Sequence, residues 1–310
     1  MVFVDERGSE ALLDEINALR EERNAVILAH NYQRPEVQDV ADIVGDSLAM
    51  AREAARTEAD AIVLCGVHFM AETAKLLNPD RPVLMPDPNA GCPMADMTMP
   101  RELAEAKRRH PDAQVVAYVN STAAVKAMAD ICCTSANAVK VVESLPTDRP
   151  ILFVPDASLG EYAAEQAGRD DVILWRGFCP THHRILAEHI EARRREYPEA
   201  EVLVHPECTR DVREMADFVG STSQIIRRVG ESDAEAFIIG TELGVCHTIR
   251  KAYPAKTIVQ VSSLADCPNM KLTTLEKVAW SLQDMQYEVQ VPAAVADDAR
   301  RAIERMLEVS

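Results

Sequence analysis

One unit of domain size is written three times along this 310-residue chain. The segments HNYQRPEVQDVADIVGDS from His30, YVNSTAAVKAMADICCTS from Tyr118 and HPECTRDVREMADFVGST from His205 align without a gap. Each carries an Ala-Asp pair at the same place, ending in Asp42, Asp130 and Asp217. A Cys-Pro pair follows each segment: Cys92-Pro93, Cys179-Pro180 and Cys267-Pro268, at spacings of 87 and 88 residues. A period this long is not a solenoid repeat, whose short units stack only on their neighbours. It predicts three homologous domains, and we infer that they pack around a pseudo-threefold axis with a site at the central interface.

Each unit reads as α/β. Apolar runs open it (AVILAHNY, AQVVAYVN, EVLVHPE), and a stretch with helical spacing such as PEVQDVADIV follows. Gly45 and Gly220 are read as C-terminal caps of that helix. Asp46-Ser47, Thr134-Ser135 and Ser221-Thr222-Ser223 are read as openings of a second helix. Further apolar runs (AIVLCG, ILFVPD, AFIIGT) give a second strand, and PVLMPDP, VILWRG and KTIVQVS a third. Strand–helix alternation predicts three-layer α/β/α domains with parallel sheets. The expected boundaries are 24–111, 112–198 and 199–291, with residues 1–23 and 292–310 as terminal helical segments.

Apolar residues make up 47% of the chain and the net charge is −17. Nucleic acid needs a basic face, so it is excluded as a partner. No signal peptide and no membrane-length apolar run is present, so a cytoplasmic location is expected. With no secretory context, the eight cysteines are not read as a disulfide framework.

In parallel α/β units ligands gather at the carboxyl ends of strands. Twelve and ten residues before the repeated Asp stand His30 with Tyr32, Tyr118 with Asn120, and His205 with Glu207. One polar pair at a strand end is a loop cap; three at one repeat position mark a binding rim. Five residues after the Asp stand Ser47, Ser135 and Thr222, where helix N-termini favour carboxylate or phosphate. Ser221 joins Thr222 as the strongest anion candidate. Cys92, Cys179 and Cys267 lie in loops at the same rim. Proline after each stiffens the backbone, and three such loops can aim three thiolates at one metal. Three ligands leave one position open, the arrangement of a Lewis acid. Thiolates suit zinc, copper(I) and iron–sulfur clusters, and spacing alone does not exclude zinc. Cys65 in a strand, and Cys132 and Cys133 at a helix end, are read as buried small residues. Cys208 and Cys246 are left unassigned; His182 and His183, just after Cys179, are within reach of the site, but a loop or helix-start role is the preferred reading.

The motifs HNYQ, GDS, GCPMADM, YVNS, TSAN, HPEC, GSTS and CPNMK, dispersed in order from about residue 25 to 290, resemble those of the quinolinate synthase family. The resemblance implies three α/β/α domains on a pseudo-threefold axis. It implies condensation of iminoaspartate with dihydroxyacetone phosphate, with loss of phosphate and water, to quinolinate in de novo NAD biosynthesis. Cys92, Cys179 and Cys267 would hold a [4Fe-4S] cluster with an open iron. The implied ligand pocket is His30, Tyr32, Ser47, Tyr118, Asn120, Ser135, His205, Glu207, Ser221, Thr222 and Met270. Glu207 and Tyr32 are the acid–base candidates, with His205 and His30 orienting or assisting. An aspartate oxidase or dehydrogenase would supply the iminoaspartate.

Where some family members carry C-x-x-C at the last cluster cysteine, this chain reads Cys267-Pro-Asn-Met270, so that disulfide switch cannot form. Two other readings stand beside this one: a metal or cluster carrier without enzymatic activity, and an iron–sulfur dehydratase of another small dicarboxylate. Assays with iminoaspartate and dihydroxyacetone phosphate separate them. The absence of C-x₃-C-x₂-C argues against radical chemistry, and the absence of G-x-G-x-x-G after a strand argues against a Rossmann nucleotide site.

Overall fold

A computed structural model describes residues 9–309. The fold is α/β, with three four-stranded parallel sheets flanked by helices. The first contains β1 (Ala25–His30), β2 (Ile43–Gly45), β3 (Ala61–Cys65) and β4 (Val83–Leu84). The second contains β5 (Gln114–Tyr118), β6 (Ile131–Cys133), β7 (Ile151–Val154) and β8 (Val172–Leu174). The third contains β9 (Glu201–Val204), β10 (Phe218–Val219), β11 (Ala236–Gly240) and β12 (Thr257–Gln260). All three share one order, second–first–third–fourth. Chain direction across the sheet therefore reverses between the first and third strands, the crevice where such sheets bind ligands.

The chain forms two compact units. One comprises the residues up to Gly91 with Pro268–Val291, and the other comprises Cys92–Cys267 with the segment from Pro292. The first unit contains the first sheet. Its helix Ser9–Glu22 buries Leu12 and Ile16 in one core with Ile27 and Val63 of the strands and Leu275, Val278 and Leu282 of helix Leu275–Asp284. The second unit contains the other two sheets. Its C-terminal helix Ala293–Glu308 packs on the second sheet's domain: the Asn137 amide donates to the Met306 carbonyl at 3.3 Å, and Arg305 donates to the Asp130 carbonyl at 2.5 Å.

The repeated aspartate has a structural task. Asp42 Oδ2 accepts the Ile27 N–H at 2.8 Å, Asp130 Oδ2 that of Val115 at 2.7 Å, and Asp217 Oδ2 that of Val202 at 2.8 Å. Each Asp N–H returns a bond of 2.9 Å to the same residue's carbonyl. One residue thus pins the approach to a short second strand against the first.

That short strand corrects three expectations. The helix after β1 ends at Val40, and Gly45 closes β2 instead of capping a helix; Gly220 likewise follows β10. Cys132 and Cys133 lie in β6, not at a helix end. In the second repeat the next helix begins at Ala138, with Asn137 at its N-cap, so Thr134-Ser135 forms a turn before it. In all three cases β-branched or apolar residues directly after the Asp favour pairing with the first strand over one more helical turn.

Asp87 ties helix Leu275–Asp284 back to the first sheet. Lys277 donates to its Oδ2 at 2.5 Å and the Asn89 N–H to its Oδ1 at 2.8 Å. Burial opposes ionisation of Asp87, but these partners outweigh it and lower its pKa from 3.8. A lowered carboxyl stabilises the fold above its unfolded pKa, and that contribution is lost as pH falls through the folded value. Asp87→Asn is expected to cost about 1 kcal/mol at neutral pH, since solvent reaches the lysine. The same variant should lose less stability than the unaltered protein below about pH 4. Thermal melts at pH 7 and pH 3 read both effects.

Candidate active site

All three Cys-Pro loops bear their cysteine within the second unit. The Cys92 thiol is pushed up to about 12, chiefly by burial and in part by Cys267 and Glu207, against the backbone N–H groups of Ala95 and Met94. Burial also raises Cys179 well above 9, with Glu207 and Cys92 adding to it and the His182 N–H opposing. Cys92 thus feels the charges of Cys267 and Glu207, and Cys179 those of Glu207 and Cys92. The proline has a visible purpose. A 3-10 turn follows three residues after each cysteine: Ala95–Met97, His182–Arg184 and Met270–Leu272. Proline fixes φ at the start of that turn and has no N–H to satisfy. For Cys92 and Cys179 the turn aims backbone N–H groups at the sulfur, and such hydrogen bonds tune metal-bound thiolates.

Glu207 is the hub of the second unit's polar cluster and is 3% exposed. It lies three residues beyond the end of β9. Tyr118, the last residue of β5, donates its hydroxyl to Glu207 Oε1 at 2.6 Å. His182 Nδ1 lies 2.6 Å from Oε2, and its Nε2 lies 2.8 Å from the Thr241 hydroxyl. Burial by itself would raise the Glu207 carboxyl. The charges that His182 and His205 can carry, with hydrogen bonds from His182 and Tyr118, outweigh it and hold Glu207 well below the usual carboxylate range. Asp156 goes the other way. It is fully buried, and burial together with the Glu207 charge pushes it well above 3.8. Burial and the surrounding charges thus shift these two carboxyls in opposite directions.

His205 Nδ1 accepts the Glu207 N–H at 3.3 Å. In the neutral ring Nε2 then carries the hydrogen and donates to the Ser135 hydroxyl at 3.1 Å. Asn120 Oδ1 is buried without a partner, an acceptor open to a ligand. Ser221 caps helix Thr222–Glu231 through the Gln224 N–H at 3.3 Å, so its hydroxyl is already engaged; Thr222, the first residue of that helix, is buried.

A model of the quinolinate synthetase A protein family matches residues 14–308. The chain belongs to this family. Quinolinate synthase of Alkaliphilus metalliredigens is 53% identical over 298 residues, covering 96% of this chain and 98% of that protein. Quinolinate synthase of Dehalococcoides mccartyi strain CBDB1 is 52% identical over 300 residues, covering 97% and 99%. That of a Synechocystis strain is 46% identical over 304 residues, covering 96% and 95%.

The remaining residues expected for a quinolinate synthase lie in the first unit. His30 and Tyr32 repeat the geometry of His205 and Glu207: His30 Nδ1 accepts the Tyr32 N–H at 3.2 Å, and the rings meet edge-on at 4.4 Å. Asp46 caps helix Ser47–Arg56, which leaves Ser47 half-buried at its first position. Met270 is buried, its sulfur 3.9 Å from the Gln33 amide nitrogen. Lys271 donates to the Tyr32 carbonyl.

For His182 the sequence favours a loop or helix-start role over one in the site; it does open the 3-10 turn, and it also joins the polar cluster. It is 1% exposed, stacks on His205 with centroids 4.5 Å apart, and puts Nδ1 3.2 Å from Cys179 Sγ. Repeat register was the available signal, because His182 stands three residues after its cysteine, as Met270 does. His183 does keep a loop role, bonded to the Ser158 hydroxyl at 2.9 Å and stacked on Phe178. Cys65, Cys132, Cys133, Cys208 and Cys246 are all buried free thiols. Burial raises each of them, Cys65 and Cys132 to about 12 and Cys246 to about 11.

Proposed function

We propose that this chain makes quinolinate for NAD biosynthesis by condensing iminoaspartate with dihydroxyacetone phosphate, releasing phosphate and water. The observation that carries the reading is the Cys179 thiol 3.2 Å from His182 Nδ1, which itself lies 2.6 Å from the ionised Glu207 carboxylate; Cys92, from another Cys-Pro loop, is within electrostatic reach of Cys179, Cys267 and Glu207. Family membership and close relatives named quinolinate synthase support it.

The donor set fits a [4Fe-4S] cluster: three soft thiols on three separate stiff loops, with backbone N–H groups aimed at sulfur. Cys92, Cys179 and Cys267 would hold it, and when bound it supplies an open Lewis-acidic iron. The raised thiols of Cys92 and Cys179 must release protons as they take up metal.

The protein's own residues supply proton transfer and orientation. Glu207, ionised at neutral pH, accepts a proton from the bound substrate during isomerisation and dehydration. His182 holds it in place and links it to the Thr241 hydroxyl. Tyr118 lies within hydrogen-bond reach of the same carboxylate and can return a proton. Asn120, Ser135 and Thr222, with Ser221 at the helix cap, are the proposed carboxylate and phosphate contacts. His30, Tyr32, Ser47 and Met270 are proposed to serve the same substrates. Tyr32 would act as a second acid–base group, oriented by His30. The 24–111, 112–198 and 199–291 boundaries belong to this reading, as do a cytoplasmic location and iminoaspartate supply by an oxidase or dehydrogenase.

One observation favours a second reading of the metal. Ligand atoms of Cys179, His182 and Glu207 all lie within 4.8 Å of one another, which suits a single ion. Iron and sulfide analysis separates a cluster from a single ion. The activity itself is tested anaerobically with both substrates. Quinolinate that forms only when both are present supports the reading. Metal-loaded protein that yields none above the blank rejects it.

A further inference from the structure

The repeat extends to a position that the reaction has not yet used. Strand pairing matches Ala29 with Cys65, Ala117 with Val154 and Val204 with Gly240. Two residues past those third strands stand Val67, Asp156 and Glu242. The residue after each donates its backbone N–H to the carbonyl two residues before a Cys-Pro cysteine: His68 to Ala90 at 2.8 Å, Ala157 to Gly177 at 2.9 Å and Leu243 to Ala265 at 3.0 Å. This backbone clasp is common to all three cysteine loops.

The side chains at the position differ. Val67 has no polar atom. Asp156 is spent on its own helix, its Oδ1 accepting the Leu159 N–H at 2.9 Å. Glu242 reaches across. It is fully buried, its Oε1 accepts the backbone N–H of Cys267 at 3.1 Å, and its Oε2 accepts the Gly244 N–H at 2.6 Å. Its neighbour Thr241 bonds His182, which touches Cys179. The dipeptide at the end of β11 therefore braces two of the three cysteine loops.

We propose that Glu242 is a positioning residue that anchors the Cys267 ligand loop through a carboxylate bond to the cysteine's own N–H, a brace the Cys92 and Cys179 loops have no counterpart for at the matching position. The claim deepens the metal-site reading and rests on it for its purpose. Two backbone donors converge on one carboxylate, and an amide can accept from only one of them while its NH₂ faces the other. Outer partners of metal ligands typically change metal affinity by about 10–100-fold when removed.

The test is thiol alkylation of the metal-free full-length chain, resolved by mass spectrometry at Cys92, Cys179 and Cys267, in Glu242→Gln and Glu242→Asp. Loss of the brace lets the Cys267 loop open more often. Cys267 is expected to react about tenfold faster in Glu242→Gln and measurably faster in the shorter Glu242→Asp, which keeps the charge. Cys92 and Cys179 should react at wild-type rates. Metal release from loaded protein to a chelator should accelerate in the same order, whichever metal the protein holds. Unchanged Cys267 reactivity in both variants overturns the proposal. So does equal acceleration at all three cysteines, or failure of both variants to fold, since either assigns Glu242 to the fold at large. Failure of the cluster reading shows separately, as wild-type protein without iron and sulfide.

Discussion

Replacing Cys92, Cys179 or Cys267 singly by alanine is expected to remove bound metal and to reduce quinolinate formation to the blank. The three loops are not interchangeable spares. Each supplies one thiol, and none of the other five cysteines stands at the repeated Cys-Pro position. The fold should survive in all three variants. The loops hang from backbone clasps such as Ala157 to Gly177 and Leu243 to Ala265, which do not involve the thiol. Metal analysis, far-UV circular dichroism and product formation on the same preparations separate loss of the site from loss of the fold. A variant that keeps both metal and turnover would remove its cysteine from the ligand set.

Glu207→Gln is expected to lower kcat by about 10²–10⁴-fold, the usual worth of a positioned acid–base group, while metal content stays at the wild-type level. The amide is nearly isosteric, so Tyr118 and His182 can keep their places. What disappears is the charge that burial opposes and that His182, His205 and Tyr118 sustain. A second signature follows from the sign of the shift. With its carboxyl held below the unfolded value of 4.5, Glu207 stabilises the fold above that pH, and the contribution fades as pH falls through the folded pKa. The glutamine variant should therefore show a flatter stability profile in acid than the unaltered protein. Turnover within a few-fold of wild type, at equal metal content, would take Glu207 out of proton transfer.

Much of this was legible in the sequence because the repeat makes three weak signals check one another. One Cys-Pro pair says little, but three at one period predicted ligand loops, and the structure gives all three loops the same 3-10 turn and the same backbone clasp. The strand-end pairs were legible for the same reason, and His30–Tyr32 and His205–Glu207 share one hydrogen-bond geometry. The strands β2, β6 and β10 were not legible. They are two or three residues long, too short for an alternating pattern, and they exist because Asp42, Asp130 and Asp217 pin the chain beside the first strand. A site role for His182 was not the preferred reading, and Glu242 escaped, because their importance lies in partners distant in sequence: Glu207, Thr241 and Cys267. Neither has a like residue at the matching position of all three repeats. The seats of the terminal helices were also hidden, since an amphipathic pattern says that a face is covered and not by what.

The most direct test of the account is iron and acid-labile sulfide analysis of the unaltered protein, purified without oxygen. The account predicts about four irons and four sulfides per chain. Zinc, or a single metal ion without sulfide, would contradict it and move the metal to the Cys179, His182 and Glu207 group instead.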